Sequence, residues 1–402
     1  MSEIFAGVRV LDVAQNTFAP AAAGVLADFG ADVIKIEHPV RGDPQRGLMT
    51  AAVQPSIGGV NLGMAQVNRG KRSMGLDLTS PDGIDILYAL ARRSDVFLTN
   101  FLGSTTTKLK IDEESIRDVN PAIIYTRATG QGPLGPEANR PAYDATTYWA
   151  RGGIGHSFTR QSGDRPPRPL PAFGDRTGAM NLAFGIAAAL FRRERTGEGA
   201  TVDVSLLSTA MYQNSSTAVY SLALGQDWTE RSAQITNPLT EMYSTKDGRW
   251  LALCMLHSDR DWPDFCERIG RFDLLKEPSF ADAQGRTTHS ADLVAELSAT
   301  FASATLDEWR ERLAGLRGAW SPVQTVLDLA EDPQVIANQY LPEVEQGGGR
   351  MVQVVPPPVQ FDGRPPVLKR APEFAEHGEE ILLDMGYSWD DIARLKNGRV
   401  IT

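Results

Sequence analysis

The feature that most constrains this chain is the alternation, through its N-terminal third, of short β-branched runs with helical patterns. Residues 8–13 predict a strand, 19–29 an Ala-rich helix closed by Gly30, and 32–37 a second strand. Three such pieces in this order make a βαβ unit. Residues 73–78 are strand-like, 82–93 predict a helix with Pro81 near its start, 95–99 a strand, 113–119 a helix and 122–126 a further strand. Strands separated by helices of this length pair in parallel, which predicts an α/β fold with a doubly wound sheet.

With 402 residues the chain exceeds what one hydrophobic core organises, so two or three domains are expected. Over 178–195 apolar residues run almost all round the helix, with Met180, Leu182, Phe184, Ile186 and Leu190, and Gly197 ends it. A helix of that kind is expected to be central and buried. Near Gly225 the pattern changes. A hairpin is predicted from Met242 through the turn Lys246-Asp247-Gly248 to Met255, then helices over 262–269 and 306–313. The expected division is a large domain over 1–220, a small α+β domain over 221–330, and a linker with a C-terminal segment over 331–402 that returns to the large domain. That last stretch holds the run Pro356-Pro357-Pro358, which reads as an extended arm, and a helix-turn-helix pattern over 376–395.

Several function classes drop out early. Lys and Arg total 40 against 50 for Asp and Glu, a formal charge of −10, which is no electrostatic footprint for nucleic acid. The longest apolar candidate, 182–191, is about half of what a membrane span needs, so no membrane association is expected. The N-terminus carries no secretory pattern, and two cysteines, Cys254 and Cys266, suit a reducing compartment. A cytoplasmic protein is therefore expected. Five scattered histidines have no metal-ligand spacing, and no metal is assigned.

Four short motifs remain. Gly130-Gln131-Gly132-Pro133-Leu134-Gly135 fits the dinucleotide fingerprint literally, but Pro133 and Pro136 block the amides and the helix that a pyrophosphate needs. Asn68-Arg69-Gly70-Lys71-Arg72 places three cations in four residues, readable as a solvated turn or as a phosphate site. Asp175 precedes the long apolar helix and reads as its N-cap or as a nucleophile held by amide dipoles at a cleft. His257 reads as a surface or interdomain histidine; Asp12, Glu37, Asp43 and Asp144 read as turn or capping groups.

Taken in order, these segments resemble the class III CoA-transferase family, which includes formyl-CoA transferases, carnitine CoA-transferases and α-methylacyl-CoA racemases. The resemblance is carried by Gly7-Val8-Arg9-Val10-Leu11-Asp12, by 26–37 with Gly42-Asp43, by 68–73 with Leu76-Asp77-Leu78, and by Gly130 to Asp144. It continues through Arg195 to Gly199, Val202 to Leu207 and Glu376-His377-Gly378. It implies a Rossmann-like large domain, a smaller domain, long linkers and an interlocked homodimer in which each chain threads through its partner. It also implies coenzyme A as part of the substrate, with no permanently bound cofactor, and acyl-CoA and a carboxylic acid acceptor as partners.

Carried over position by position, the nucleophile falls on Asp175 and CoA contacts fall on Thr17, Phe18, His38, Asn68, Arg69, Lys71, Arg72, Asn100, Lys108, Tyr143 and Asp144. The chain departs from the family at Thr99-Asn100-Phe101-Leu102-Gly103-Ser104, where Glu-Asn-Phe-Arg-Pro-Gly is common, and at His38, where arginine is common. It lacks the four-glycine lid of formyl-CoA transferases, and Tyr143 stands where racemases carry the histidine base. The expected activity is acyl-CoA:carboxylate CoA transfer through an aspartyl-CoA thioester. A racemase, or a CoA-ester binding protein without turnover, are the alternatives.

Overall fold

In the computed structural model, which describes residues 3–50, 56–159, 163–228 and 235–402, the β-branched runs become the centre of a parallel sheet. Its strands are β1 (Arg9–Val13), β2 (Asp32–Glu37), β3 (Arg72–Gly75), β4 (Val96–Thr99), β5 (Ile124–Thr129) and β6 (Thr201–Ser205). Their spatial order is β3-β2-β1-β4-β5-β6 and every neighbouring pair is parallel. The chain winds outward from β1 in one direction, then returns to start again at β4, so the order reverses between β1 and β4. In an open parallel sheet, loops diverge at that point beyond the carboxyl ends of the strands and leave a crevice.

Both faces of the sheet are covered, which is why its strands read as apolar runs. Val10, Val33, Leu98 and Ile124 project to one face and join the buried sides of α1 (Phe18–Asp28) and the long helix described below. Leu11, Ile34, Phe97 and Tyr125 project to the other, against α2 (Pro81–Ala91), α3 (Gly103–Leu109) and α4 (Glu113–Val119). This face is completed by Ile381 and Leu382 and by Ile392 and Leu395 from the C-terminus of the chain.

The long helix, α5 (Phe173–Thr196), starts five residues earlier than its apolar pattern suggests. It is also not buried all round. Leu182, Ile186 and Leu190 lie in the core, whereas Phe184 is 76% and Phe191 60% exposed. One side packs on α1 and the sheet, and the opposite side carries exposed apolar residues. The helices that follow β6, α6 (Leu206–Gln213) and α7 (Ser215–Leu224), also carry exposed apolar residues, Met211, Tyr212, Val219 and Leu222 among them.

The chain divides into two compact units, Met1–Thr229 with Ile336–Thr402, and Glu230–Val335. The second is built on an antiparallel sheet of Met242–Ser244, Trp250–Cys254 and Ala319–Pro322. The predicted hairpin is present with its turn at Lys246-Asp247-Gly248. Trp309, Phe265 and Phe301 fill its separate core. In the first unit, an irregular proline-bearing stretch leads to a final helical pair, Gly378–Asp384 and Trp389–Asn397, which stands where the sequence pattern places it. The second unit also holds the helices Ser258–Arg268, Ser290–Phe301 and Leu306–Arg312. Among the described residues no helix is long and apolar enough to cross a membrane.

Candidate active site

The crevice expected where the strand order reverses is present. The segment leaving β1 is latched to the segment leaving β4 by a reciprocal pair: the Gln15 amide donates to Asn100 Oδ1 at 3.0 Å, and Asn100 Nδ2 donates to the Gln15 carbonyl at 2.7 Å. Asn16 follows with φ of 63°, a left-handed conformation that asparagine adopts more readily than most residues. α1 then begins at Phe18. A cavity of about 220 Å³ opens here, lined by Asn16, Thr17, Phe18, Asn100, Tyr143, Asp144 and Asp175. Six of these seven are positions the sequence singled out.

Asp175 enters this cavity from the first turn of α5. It is the third residue of the helix and not its cap. The residue at the cap is Ala172, held at φ of 55°, and the free amide of Gly174 is bonded instead by Asp144 Oδ1 at 2.9 Å. That corrects the capping reading of Asp175, and it assigns the capping reading of Asp144 to a helix thirty positions away in sequence. It also occupies the Gly174 amide, which would otherwise serve as an oxyanion donor at the helix start. No hydrogen bond among the described residues reaches the Asp175 carboxylate.

Two glycines allow this closeness. A Cβ on Gly174 would stand 2.1 Å from Cγ of Tyr148, and one on Gly178 would stand 2.5 Å from Cε2 of Phe18. Tyr148 is itself fully buried and belongs to a π-helical segment, Ala145–Arg151, that follows directly on Asp144. Wider helical turns of this sort are uncommon and recur at functional sites.

Electrostatics distinguish the two carboxylates. Burial pushes the Asp175 carboxyl up to about 7, the Asp144 carboxylate adds to that rise, and the Arg176 guanidinium opposes it. Burial also raises Asp144, against the pull of the amides it accepts. The half-buried Asp175 is thus poorly solvated, bears no hydrogen bond and faces a cavity. These properties make a carboxylate more nucleophilic and a carboxylic acid easier to retain at neutral pH.

His38 lies in a second cavity of about 240 Å³, which shares Gln15 and Phe101 with the first. Its Nδ1 accepts from the amides of Val40 at 3.1 Å and Arg41 at 3.2 Å, so the neutral ring carries its proton on Nε2. Lys108 lines a shallower cleft that shares Leu78, Thr79 and Leu109 with this cavity. Thr17, Phe18, Asn100, Tyr143, Asp144 and Asp175 are therefore brought together, with His38 and Lys108 displaced along adjoining hollows.

The cationic loop is a correction. Asn68, Arg69 and Lys71 do not form a solvated turn, because their side chains are buried and bonded within the fold. Lys71 Nζ donates to Asp12 Oδ2 at 2.7 Å, to the Pro20 carbonyl at 2.7 Å and to Asn68 Oδ1 at 2.8 Å, which uses all three of its protons. Arg69 is paired with the buried Asp28 at 2.6 Å. Arg72 bonds Asp32 at 2.8 Å and reaches Glu380 and Asp384. None of the four lines either cavity. Burial pulls the Lys71 ammonium down to about 8 against the attraction of Asp12.

Sequence reading missed the partners of these cations. Asp12 and Glu37 are strand residues in a buried ionic layer with Lys35, Lys71 and Arg46, and not turn groups. Alternating charged residues within apolar strands, as in Asp32 to Glu37, were the only available sign. His257 is exposed and belongs to the second unit.

Comparison with known proteins agrees with this geometry. The model of the family described as CoA-transferase family III matches residues 5–378. The chain is 31% identical to the (R)-2-hydroxy-4-methylpentanoate CoA-transferase of Clostridioides difficile, covering 98% of both chains. It is likewise 31% identical to the cinnamoyl-CoA:phenyllactate CoA-transferase of Clostridium sporogenes, over 100% of this chain and 98% of that one. A crystal structure of a CAIB/BAIF family protein from Brucella suis superposes with a TM-score of 0.82 at 28% identity, covering 94% of this chain and 98% of the other. Relatives matched end to end carry transferase names, and neither the racemase reading nor binding without turnover is favoured by them. The chain is a member of CoA-transferase family III.

Proposed function

We propose that the protein transfers CoA from an acyl-CoA to a free carboxylic acid, with the Asp175 carboxylate as covalent nucleophile. Asp175 attacks the thioester carbonyl and expels the CoA thiolate, leaving a mixed anhydride. The thiolate then attacks the aspartyl carbonyl, releasing the donor acid and leaving an aspartyl-CoA thioester. The acceptor carboxylate attacks this thioester to form a second anhydride and free the thiolate. Attack of the thiolate on the acceptor's acyl carbon gives the new acyl-CoA and restores Asp175. The observation that carries this reading is the position of Asp175: first turn of α5, facing the cavity where the strand order reverses, free of hydrogen bonds among the described residues and with a raised pKa.

Coenzyme A, the substrate common to both half-reactions, would lie along the two adjoining cavities, a reading supported by the residues they share, Gln15 and Phe101. The nucleotide end would take the hollow that holds His38, with Lys108 beside it, and the pantetheine arm would pass Gln15 and Phe101 toward Asp175. Thr17 and Phe18 at the start of α1, Asn100, Tyr143 and Asp144 would form the walls near the thioester. The working unit is a homodimer, a reading supported by the uncovered apolar face of α5 to α7.

The test is a panel of acyl-CoA donors and free acids, beginning with the 2-hydroxy acids named for the two clostridial relatives, followed by chromatography for new CoA esters. Exchange with at least one pair is expected. With an active pair, hydroxylamine should trap a hydroxamate on the peptide that holds Asp175; a trapped adduct elsewhere would overturn the assignment.

A further inference from the structure

The proposed mechanism uses neither Asp43 nor Lys35, yet both are buried beside the site, Asp43 among the residues that line the cavity holding His38. Lys35 Nζ donates to the Ala14 carbonyl at 2.9 Å and pairs with Asp43 Oδ2 at 2.8 Å. The other carboxylate oxygen of Asp43 accepts from the Asn16 amide at 3.0 Å and from the Gln45 amide at 2.9 Å. One ion pair therefore grips the backbone on both sides of Gln15, the residue latched to Asn100. Between these grips sits Asn16 at φ of 63°, a conformation that persists only where its surroundings hold it. Gln15 and Asn16 both line the cavity that ends at Asp175.

We propose that Asp43, paired with Lys35, is a positioning residue that fixes the segment 14–17 in the left-handed turn forming the wall of the CoA cavity, and so sets affinity for CoA. A carboxylate is suited to this task because a charged acceptor in a buried site binds two amides more tightly than a neutral one. Asp43 touches no reacting atom. Its effect is expected in binding and not in the chemical step. The proposal rests on the reading of this cavity as the CoA site.

The test compares wild type, Asp43→Ala and Asp43→Asn by hydrogen exchange of the unliganded proteins, calorimetry with CoA, and steady-state kinetics with an active substrate pair. In wild type the Asn16 amide should exchange slowly for a loop amide. In folded Asp43→Ala, uptake over 14–18 should rise and the Kd and KM for CoA esters should increase about tenfold or more, with kcat changed by less than about threefold. Asp43→Asn retains an acceptor oxygen for the two amides and should restore part of both effects. A fast-exchanging Asn16 amide in wild type overturns the proposal even where Asp43→Ala does not fold. Unchanged uptake, or a fall in kcat with KM unmoved, overturns it as well. Failure of the functional reading shows separately, as a wild-type protein that binds no CoA, and the exchange result still decides whether Asp43 holds the turn.

Discussion

At the scale of single residues, two carboxylates share the end of one cavity, and the charge of Asp144 adds to the rise that burial causes at Asp175. Because the folded pKa of Asp175 is raised to about 7 from an ordinary value near 3.8, the folded protein binds a proton that the unfolded chain releases between those values. Stability contributed by this group is full below the unfolded value and is lost as pH rises through about 7. Asp175→Asn, which cannot ionise, should therefore be more stable than wild type at pH 8, by up to about 4 kcal/mol, with the difference gone below about pH 4. Denaturant titrations at both pH values check this. The same substitution should abolish CoA transfer, since an amide cannot form the anhydride. Attack needs the ionised form, so wild-type kcat/KM should fall about tenfold per pH unit below about 7. Asp144→Asn keeps a cap acceptor for Gly174 but removes the neighbouring charge, and should shift that limb to lower pH; an unmoved limb would show that Asp144 does not tune Asp175. Gly174→Ala tests the packing that brings the two together. A Cβ 2.1 Å from the Tyr148 ring must displace the start of α5, and a loss of about 1–3 kcal/mol with a larger loss of turnover is expected.

At the scale of elements, what the sequence disclosed and what it concealed follow from the range of the forces involved. Helix 113–119 matches its predicted bounds, and β1 to β5 lie within a few residues of theirs, because apolar periodicity and Pro or Gly punctuation are local signals, whereas β6 had no strand prediction. The start of α5 was misplaced because its first turn, Phe173 to Thr177, is anchored by Asp144, a residue remote in sequence. The fate of the cationic loop was concealed for the same reason. Nothing near Lys71 in the chain announces that Asp12 waits for it in β1. Of the candidate site, the residues at the ends of β1 and β4 and at Asp144 and Asp175 could be named from the family resemblance. Their grouping required the strand order. The loop also makes a prediction that separates structure from ligand binding. Lys71→Met leaves Asp12 buried without its closest cation and should destabilise the fold by about 3 kcal/mol or more, which thermal unfolding would show. In whatever fraction folds, KM for CoA should stay within about threefold, since Lys71 has no proton free for a phosphate.

At the scale of the whole molecule, the apolar surface of α5, α6 and α7 is the outstanding feature. Phe184, Met211, Tyr212, Val219 and Leu222 are all more than half exposed, and Leu222 reaches 83%. A monomer rarely leaves so many large apolar side chains on adjoining helices in water, whereas an obligate interface often exceeds about 2,000 Å² and is apolar at its centre. A second copy of this chain is the proposed occupant, and sedimentation at nanomolar concentration should give twice the chain mass of 43.8 kDa. Mass alone does not separate a dimer of adjacent chains from the interlocked arrangement implied by the family resemblance, but subunit exchange does. Adjacent chains dissociate and re-pair at a rate set by their interface, so two differently tagged preparations mixed under native conditions form hybrids. Threaded chains part only when at least one unfolds. Hybrids should therefore be absent after days of native mixing and appear once the mixture is denatured and refolded together. Hybrids formed without denaturation would exclude threading, and a folded species at the single-chain mass would exclude the dimer.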